Sequence, residues 1–312
     1  MRASVPPLVA IVGPTAVGKS ALALEAAQRL GGEIVSADSR QIYRGMDIGT
    51  DKPTPEQRRR VPHHLLDVVE PDQVFTLAQY QRAAYNAIAD IHERGRLPLL
   101  VGGTGLYVRA VLEGLHIPEV PPDPALRQEL EAFAQAEGAQ ALHARLAALD
   151  PDAARRIDPR NVRRVVRALE VTLLTGVPIS RLQQASPPPF RVLRIGLTRP
   201  RPVLYARIDR RVDAMIEAGL VEEVRRLLEA GYSPSLPALT GLGYRQIIQY
   251  LQGELSLAEA VAAIKQQTRR FVRQQATWFR LDDPQIRWFD LELASSADVI
   301  GEVQRWLEQT SG

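Results

Sequence analysis

The stretch Gly13-Pro14-Thr15-Ala16-Val17-Gly18-Lys19-Ser20 decides the fold of this 312-residue chain. It fits the pattern G-x-x-x-x-G-K-[ST], whose glycines let the backbone curl until successive N–H groups face one anion. Lys19 supplies a mobile positive charge, and the Ser20 hydroxyl is suited to ligate Mg²⁺. The apolar run Leu8–Val12 precedes the stretch and the helical pattern Lys19–Leu30 follows it. The stretch therefore predicts a loop between a strand and a helix that binds a di- or triphosphate.

Short apolar runs alternate with helical patterns on both sides of this loop. This rhythm predicts an α/β fold, with a parallel sheet of about five strands and helices on both faces. The expected strands are Leu8–Val12, Glu33–Ala37, Leu97–Val101, Val192–Leu197 and Ile286–Leu291. The expected helices are Lys19–Leu30, Leu77–Arg94, Val203–Ala218, Val221–Glu229, Gly243–Leu251, Leu257–Arg280 and Ala297–Gln309. Capping boxes are expected at Thr76 with Gln79 and at Ser256 with Glu259.

Two proline-rich stretches, Ile117–Pro124 and Ser186–Pro189, bracket a segment that shows helical patterns and no strand pattern. Its expected helices are Leu126–Ala136, Ala139–Leu149 and Val162–Leu174. We therefore expect a P-loop core formed by residues 1–116 and 190–312. Residues 117–189 are expected to form an all-helical insertion that can move against this core.

Composition excludes several classes of protein. The chain has no cysteine, which rules out a disulfide framework, a Cys-ligated zinc site and a thiol nucleophile. No apolar run approaches the ~20 residues that a membrane-spanning helix needs. With 45% hydrophobic and 24% charged residues, the chain is predicted to be a soluble, cytoplasmic, globular protein without a membrane partner.

Two nucleotide-hydrolase motifs are absent from the sequence, which restricts the reactions that a bound phosphate could undergo. A GTPase needs N-K-x-D, yet none of the three lysines follows an asparagine. A motor ATPase needs an acid after an apolar strand, whereas the third expected strand runs into Gly102-Gly103-Thr104-Gly105. Asp38 follows the second expected strand, and parallel strands present their carboxyl ends at one edge, so Asp38 should face the phosphate loop. A carboxylate there can accept a proton or hold a substrate, or it can simply cap a loop.

Arginine supplies nearly all of the positive charge, since lysine contributes only three of the 39 basic residues. The spacing of Arg160, Arg163, Arg164 and Arg167 predicts one basic helix face. A second cluster contains Lys265, Arg269, Arg270, Arg273 and Arg280, interleaved with Phe271, Trp278 and Phe279 and with glutamines. Basic rows of this kind suit a nucleic-acid backbone, and the aromatics suit unpaired bases. Codon bias, solvated helix faces and core positions for the aromatics are the alternative explanations.

Six motifs occur in order between about residue 8 and residue 290: Gly13–Ser20, Asp38–Tyr43, Met46–Pro53, Gly102–Tyr107, Gly243–Gln246 and Arg273–Arg280. Together they resemble the tRNA dimethylallyltransferase family. The resemblance implies transfer of a dimethylallyl group from dimethylallyl diphosphate to N6 of the adenosine just 3′ of the tRNA anticodon, with Mg²⁺. Ser20 stands where the family commonly has threonine, and the hydroxyl is retained.

The resemblance also implies roles for individual residues. Asp38 matches the proton acceptor, Thr104 the hydroxyl that positions the amine, and Arg207 an arginine that helps the diphosphate leave. Gly13, Pro14, Thr15, Ala16, Val17, Gly18, Lys19 and Ser20 would hold the diphosphate, with Ser20 also on the metal. The residues expected at tRNA are Asp38, Ser39, Arg40, Gln41, Thr104, Arg127, Arg163, Arg164, Val165, Val166, Arg167, Thr240, Gly241, Leu242, Gly243, Tyr244, Arg245, Arg273, Gln274, Gln275, Thr277, Trp278 and Arg280. The insertion would clamp the anticodon arm, and the chain is expected to act as a monomer.

Three other functions are compatible with parts of the sequence. A small-molecule or nucleotide kinase shares the phosphate loop and the acid after the second strand, but it does not need two basic clusters. A prenyltransferase acting on free adenine nucleotides does not need the large insertion. An RNA-binding protein without enzymatic activity leaves Asp38 without a role.

Overall fold

The computed structural model describes residues 5–183, 185–186 and 188–309. The chain divides into two compact units, one made of Met1–Leu112 with Pro188–Gly312 and the other of Glu113–Pro187. These divisions lie a few residues before the boundaries expected at 116/117 and 189/190. Pro187, in the second proline-rich stretch, lies outside the described residues.

The larger unit is built on a parallel sheet, as predicted, which has six strands within the described residues and the order β3-β2-β4-β1-β5-β6. The strands are β1 (Pro7–Val12), β2 (Gly32–Ser36), β3 (His63–His64), β4 (Leu97–Gly102), β5 (Arg191–Thr198) and β6 (Ile286–Asp290). The sequence predicted five of them. It missed β3, because a two-residue edge strand gives no periodic signal.

The central strands are apolar on both faces because helices cover both sides of the sheet. Val9 and Ile11 of β1 enter one hydrophobic core. Leu8 and Ala10 alternate with them and enter a second core on the opposite face. A continuous apolar run is therefore the pattern that a central parallel strand requires.

The helices of the described residues are α1 (Lys19–Leu30), α2 (Pro55–Arg60), α3 (Leu77–Glu93), α4 (Gly105–Leu112), α5 (Pro124–Glu137), α6 (Ala139–Leu149), α7 (Pro151–Arg156), α8 (Val162–Thr175), α9 (Ile179–Leu182), α10 (Arg201–Glu217), α11 (Leu220–Glu229), α12 (Tyr244–Leu251), α13 (Leu257–Gln275) and α14 (Ser296–Glu308). Both predicted capping boxes are present, at the starts of α3 and α13. Within the described ranges, no helix combines the length and apolar character that a bilayer crossing demands.

Helix α13 ends at Gln275, five residues before the end that the sequence predicted. The Thr277 hydroxyl donates to the Gln274 carbonyl at 2.7 Å, a local bond that competes with continuation of the helix. Beyond it, Trp278 and Phe279 turn into the core beneath α3 and α4. The helix therefore ends where these two aromatic side chains pack into the core.

The smaller unit consists of α5 to α9 around its own apolar core. Glu170 of α8 is fully buried and accepts hydrogen bonds from Arg127, Arg167 and the backbone N–H of Asp123. Burial by itself raises the pKa of this carboxyl, but the hydrogen bonds outweigh it and hold the pKa below its ordinary value. Two of the arginines predicted for RNA thus support the unit internally.

Arg160 does not share the helix face predicted for it. Helix α8 begins at Val162, with Asn161 as its N-cap, so Arg160 precedes the helix and pairs with Asp158 at 2.6 Å. A side-chain cap at Asn161 sets this boundary. The basic face of α8 is therefore shorter than its arginine spacing indicated.

Candidate active site

The phosphate loop joins β1 to α1 at the carboxyl edge of the sheet. Gly13 has φ 143°, and a Cβ at this position would lie 2.5 Å from the carbonyl oxygen of Leu197 on β5. Gly18 has φ 118° and precedes α1 with no side-chain cap. The N–H groups of the first helical turn therefore face a space that an anion can fill.

Lys19 lies at the base of this loop. Its ammonium donates to the carbonyl oxygens of Gly13 at 3.0 Å and Pro14 at 2.7 Å. Burial, followed by the charge of Arg211, lowers the pKa of Lys19 to about 8, against the opposing effect of Asp38 and Asp51. An anion docking on this ammonium would remove much of that penalty.

Two arginines hold the outer side of the loop. Arg207 Nε donates to the Ala16 carbonyl at 2.8 Å, and Arg199 Nε donates to the Val17 carbonyl at 3.0 Å. Because the C=O and N–H of a trans peptide point in opposite directions, these bonds turn the N–H groups of Val17 and Gly18 inward. Arg207 was predicted to assist a leaving diphosphate, and the structure adds Arg199, which follows β5 directly at the carboxyl edge.

A third arginine, Arg211, was also missed by the sequence analysis. Its Nη1 donates to the Thr15 hydroxyl at 3.0 Å and lies 3.3 Å from a carboxylate oxygen of Asp51. Arg211 follows Arg207 by four residues on α10, and side chains at this spacing share a helix face. This four-residue spacing was the sequence signal that could have identified Arg211 as a site residue.

Gln275 holds the loop from the opposite direction. Its side-chain oxygen accepts from the Thr15 backbone N–H at 2.9 Å, and its amide donates to the Gly103 carbonyl at 3.0 Å. The side chain is buried, with 4% of the residue exposed. Gln275 was predicted to touch RNA, whereas both of its polar groups join the phosphate loop to the segment after β4.

Asp38 comes two residues after β2, beside that same segment. One of its carboxylate oxygens accepts from the Arg40 backbone N–H at 2.8 Å. The Thr104 hydroxyl accepts from the Ser39 backbone N–H at 3.1 Å, which places the two predicted catalytic groups on adjoining loops. A Cβ on Gly102 would lie 2.1 Å from the Ala37 carbonyl oxygen, so only glycine permits this approach.

One solvent-open cavity is lined by residues from several of these segments, among them Lys19, Ser20, Asp38, Asp51, Gly103 and Arg211. Cationic groups that suit phosphate and a carboxylate that can take a proton therefore face the same space. No cluster of three or more His, Asp or Glu side chains able to hold a metal occurs among the described residues. Ser20, Asp38 and Asp51 are among the residues that line the cavity with side-chain oxygens.

One wall of the cavity is the segment that carries the motif Met46–Pro53. Glu223, almost fully buried, accepts from the backbone N–H groups of Asp47, Ile48 and Gly49 at 2.7 to 3.1 Å. It also accepts from the Tyr244 hydroxyl at 2.6 Å. The buried carboxylate of Glu223 thus fixes the backbone of this cavity wall.

A lysine holds the same wall from within. Lys52 has a fully buried side chain and donates to the Tyr43 carbonyl, Asp47 and Asp67 at 2.6 to 2.7 Å. The Gln41 amide donates to the Thr50 and Asp51 carbonyls at 3.2 Å. The motif therefore consists largely of residues that shape the cavity.

The residues of the larger unit predicted at RNA differ in exposure. Thr240, Arg245, Arg273, Gln274, Thr277 and Arg280 are exposed; Ser39, Arg40, Gln41, Leu242 and Trp278 are half-buried; Gly241, Gly243 and Tyr244 are buried. The Arg40 guanidinium donates to the Pro237 carbonyl at 2.7 Å, and Arg280 pairs with Asp282. The Tyr244 side chain is buried and donates to Glu223, and its assignment to RNA stays a prediction.

In the smaller unit, Arg163 and Arg164 are exposed, and neither has an ion-pair partner among the described residues. Val165 and Val166 are buried in the unit's core, so their side chains are not available to RNA. Within the described part of the chain, two cations of the predicted basic row therefore lack an ion-pair partner.

The fold and the phosphate loop together define the class of protein. A parallel sheet whose strand β1 leads through G-x-x-x-x-G-K-S into α1 is the architecture of the P-loop phosphate-binding proteins.

Comparison with known proteins identifies the family within this class. Residues 41–282 match the family model described as IPP transferase. The tRNA dimethylallyltransferase of Thermomicrobium roseum is 55% identical over 98% of this chain and 93% of its own, and that of Roseiflexus castenholzii is 59% identical over 88% and 90%. The crystal structure of the full-length tRNA isopentenylpyrophosphate transferase from Bacillus halodurans is 44% identical, covers 98% of both chains and superimposes with a TM-score of 0.73. The chain belongs to the IPP transferase family, which confirms the resemblance drawn from its motifs.

The pKa of Lys19 predicts that diphosphate binding depends on pH. An anion favours the charged ammonium, so binding above about pH 8 requires uptake of a proton, and affinity should fall by up to about tenfold per pH unit there. Calorimetric titration with inorganic diphosphate between pH 7 and 9.5 measures this. Lys19→Arg is the control, because arginine stays charged throughout. Identical pH profiles for both proteins would contradict the prediction.

Gln275 is predicted to support the phosphate loop. Gln275→Ala leaves the Thr15 N–H and the Gly103 carbonyl unpaired, so affinity for inorganic diphosphate should fall about 30-fold, at roughly 1 kcal/mol for each lost bond. Gln266→Ala changes an exposed glutamine of the same helix and should alter affinity less than about twofold. Equal affinities in the two variants would show that the bridge has no such role.

Proposed function

We propose that this protein transfers a dimethylallyl group from dimethylallyl diphosphate to N6 of the adenosine just 3′ of the anticodon in tRNA, and releases diphosphate. The observation that carries the proposal is the shared cavity, in a member of this family, of a phosphate loop with Lys19 and a strand-terminal carboxylate, Asp38. The leaving group and the proton acceptor of such a reaction need to flank one space.

The leaving group is the first requirement of this chemistry. An exocyclic adenine amine is a weak nucleophile because its lone pair is delocalised into the ring, so the donor must carry a good leaving group and be well aligned. Lys19, Arg211 and the inward N–H groups of the loop would stabilise the charge that develops on the diphosphate. Arg207 would contribute in two ways: its Nε donates to the Ala16 carbonyl and so fixes the loop, and the other two nitrogens of its guanidinium add positive charge.

The hydrocarbon part of the donor needs a different surface. Ala23, Ile34 and Val101 line the same cavity as Lys19 and give it an apolar wall. Burying the dimethylallyl group against this wall would place its reacting carbon between the phosphate loop and Asp38. Burial against this wall would also exclude water from the reacting carbon.

The acceptor requires a base. The bond from nitrogen to the dimethylallyl carbon forms as the bond from that carbon to the diphosphate oxygen breaks, and the amine proton passes to the Asp38 carboxylate. Thr104, on the adjoining loop, would fix the amine through its hydroxyl. The target adenosine must leave its stack to reach these groups.

Magnesium is the metal that we propose for this site. It usually keeps several waters and binds through one or two carboxylates and substrate phosphates, which fits Ser20 with Asp51 better than a dedicated cluster of ligands and leaves Asp38 to accept the proton. When bound, it would neutralise charge on the diphosphate oxygens.

Transfer RNA would be held by exposed cations of both units. Arg163 and Arg164 are placed on a helix of the insertion, which we propose grips the anticodon arm. Arg245 and Arg273 would add contacts in the larger unit. We propose that the chain acts as a monomer and in the cytoplasm, where tRNA is used.

The test of the function is incubation of the protein with radiolabelled dimethylallyl diphosphate, Mg²⁺ and unmodified tRNA, followed by nucleoside analysis. Label in N6-dimethylallyladenosine at the position after the anticodon supports the proposal. Phosphate transfer from ATP to a small acceptor, with no label in tRNA, would instead identify a kinase.

Asp38→Asn is predicted to lower turnover by about 100-fold or more, the usual scale for a general base, with tRNA affinity near normal because charge is lost only at the reacting amine. Single-turnover kinetics and filter binding measure the two quantities. Asp72→Asn changes an exposed carboxylate elsewhere and should leave both unchanged. Turnover of Asp38→Asn at the wild-type rate would exclude the base assignment.

Arg163→Ala with Arg164→Ala is predicted to weaken tRNA binding and to reduce the slope of log affinity against log salt by about 2, as expected for two lost phosphate contacts. Arg167 is left intact because its loss would also disturb Glu170. Arg59→Ala, an exposed arginine of α2, is the control. An unchanged slope in the double variant would remove these arginines from the RNA interface.

A further inference from the structure

Helix α13 exposes an aromatic ring that the proposed chemistry does not use. Phe271 is 43% exposed, and it is the most exposed aromatic side chain of the described residues. The other two aromatics of this sequence cluster are accounted for, because Trp278 packs against the backbone of Gly105 and Phe279 is buried. Of the three, Phe271 alone is exposed, whereas Trp278 is half-buried and Phe279 buried.

The charges around Phe271 are positive and uncompensated. On the side of α13 that faces α10, Lys265 and Arg269 pair with Asp213 and Asp209. On the exposed side of α13, Arg270 immediately precedes Phe271 and Arg273 lies two residues after it, and neither has an ion-pair partner among the described residues. At these spacings the two guanidinium groups lie on the adjoining, solvent-facing side of the helix rather than beside the ring.

The neighbouring positions are neutral or basic as well. Gln274 follows Phe271 by one turn and is exposed. Gln267 precedes it by one turn and accepts from Arg245 at 2.7 Å and from Gln246 at 2.9 Å. The sequence has no acidic residue from Ile264 to Leu281. This face is therefore complementary to an anion that also carries flat rings.

The ring lies close to the phosphate site along the helix. Phe271 precedes Gln275 by four residues, one turn of about 5.4 Å, so the two side chains are neighbours. Gln275 contacts Thr15 of the phosphate loop and Gly103 beside Thr104. A chain that delivers one base to Thr104 would carry its neighbouring nucleotides past this face.

We propose that Phe271 is a stacking platform for an unpaired base of the tRNA anticodon loop, distinct from the adenosine that accepts the dimethylallyl group. This proposal rests on the proposed function. An exposed aromatic ring on a helix that also carries exposed arginines suits a single-stranded nucleic acid, since the ring stacks on a base and the cations on the adjoining face meet the phosphates.

The test measures binding of a fluorescently labelled anticodon stem–loop by anisotropy, as a function of salt. Phe271→Ala should lower affinity about tenfold with an unchanged salt slope, because stacking releases no counterions. Phe271→Trp should retain wild-type affinity. Arg270→Ala should lower affinity and reduce the slope by about 1. Leu293→Ala, which removes an exposed apolar side chain elsewhere in the larger unit, should change neither.

A stem–loop carrying 2-aminopurine at single loop positions locates the contact. The wild-type protein should quench the fluorescence of one position other than the acceptor, and Phe271→Ala should not. Equal RNA affinity and equal quenching for the wild type and Phe271→Ala overturn the stacking proposal, and if wild-type tRNA prenylation is present the proposed function still stands. Equal RNA affinity combined with altered self-association would identify the face as a protein contact. Failure of the wild type to bind the stem–loop overturns both proposals.

Discussion

The rest of the structure depends on one constraint: hydrogen bonds hold the carbonyl groups of the phosphate loop on its outer side, so that its N–H groups face inward. Backbone N–H groups bind an anion well only when they converge before it arrives, since otherwise binding must also order the loop. Arg199 and Arg207 hold two loop carbonyls on the outer side, and Gln275 holds the Thr15 N–H. The close approach of Gly13 to Leu197 fixes the start of the loop. Segments from the second half of the chain thus shape a site formed by its first twenty residues.

The balance of charge inside the cavity follows from this arrangement. Burial lowers the pKa of Lys19 and the charge of Arg211 lowers it further, while Asp38 and Asp51 oppose this effect. A diphosphate would meet the cations, and Asp38 would remain beside them as a proton acceptor in the proposed reaction. Asp38 follows β2, which is separated from β1 by β4 in the sheet. Parallel topology makes this possible, because all strands present their carboxyl ends at one edge.

Arginine has two separate uses in this protein. Arg127 and Arg167 surround the buried carboxylate of Glu170, and Arg199 and Arg207 hold the phosphate loop, so these side chains are structural supports. Others, among them Arg163, Arg164, Arg270 and Arg273, point to solvent without an ion-pair partner in the described part of the chain and are candidates for RNA. A guanidinium serves both purposes because its fork of donors matches carbonyls, carboxylates and phosphates alike.

The sequence by itself determined the parallel α/β sheet, the phosphate loop, the helical segment and the family, because these depend on local patterns: apolar runs, glycine spacing and ordered motifs. It also placed Asp38 at the sheet edge, since topology follows from the alternation of strands and helices. It could not separate a glutamine that holds the loop from one exposed to solvent, as Gln275 and Gln274 are adjacent and chemically identical. Nor could it show that Glu223, together with Tyr244, supports the cavity wall. The hydrogen bonds from Asp47, Ile48 and Gly49 to Glu223 join positions more than 170 residues apart. Only the tertiary structure decided these roles, since burial and partner depend on which distant segments pack together.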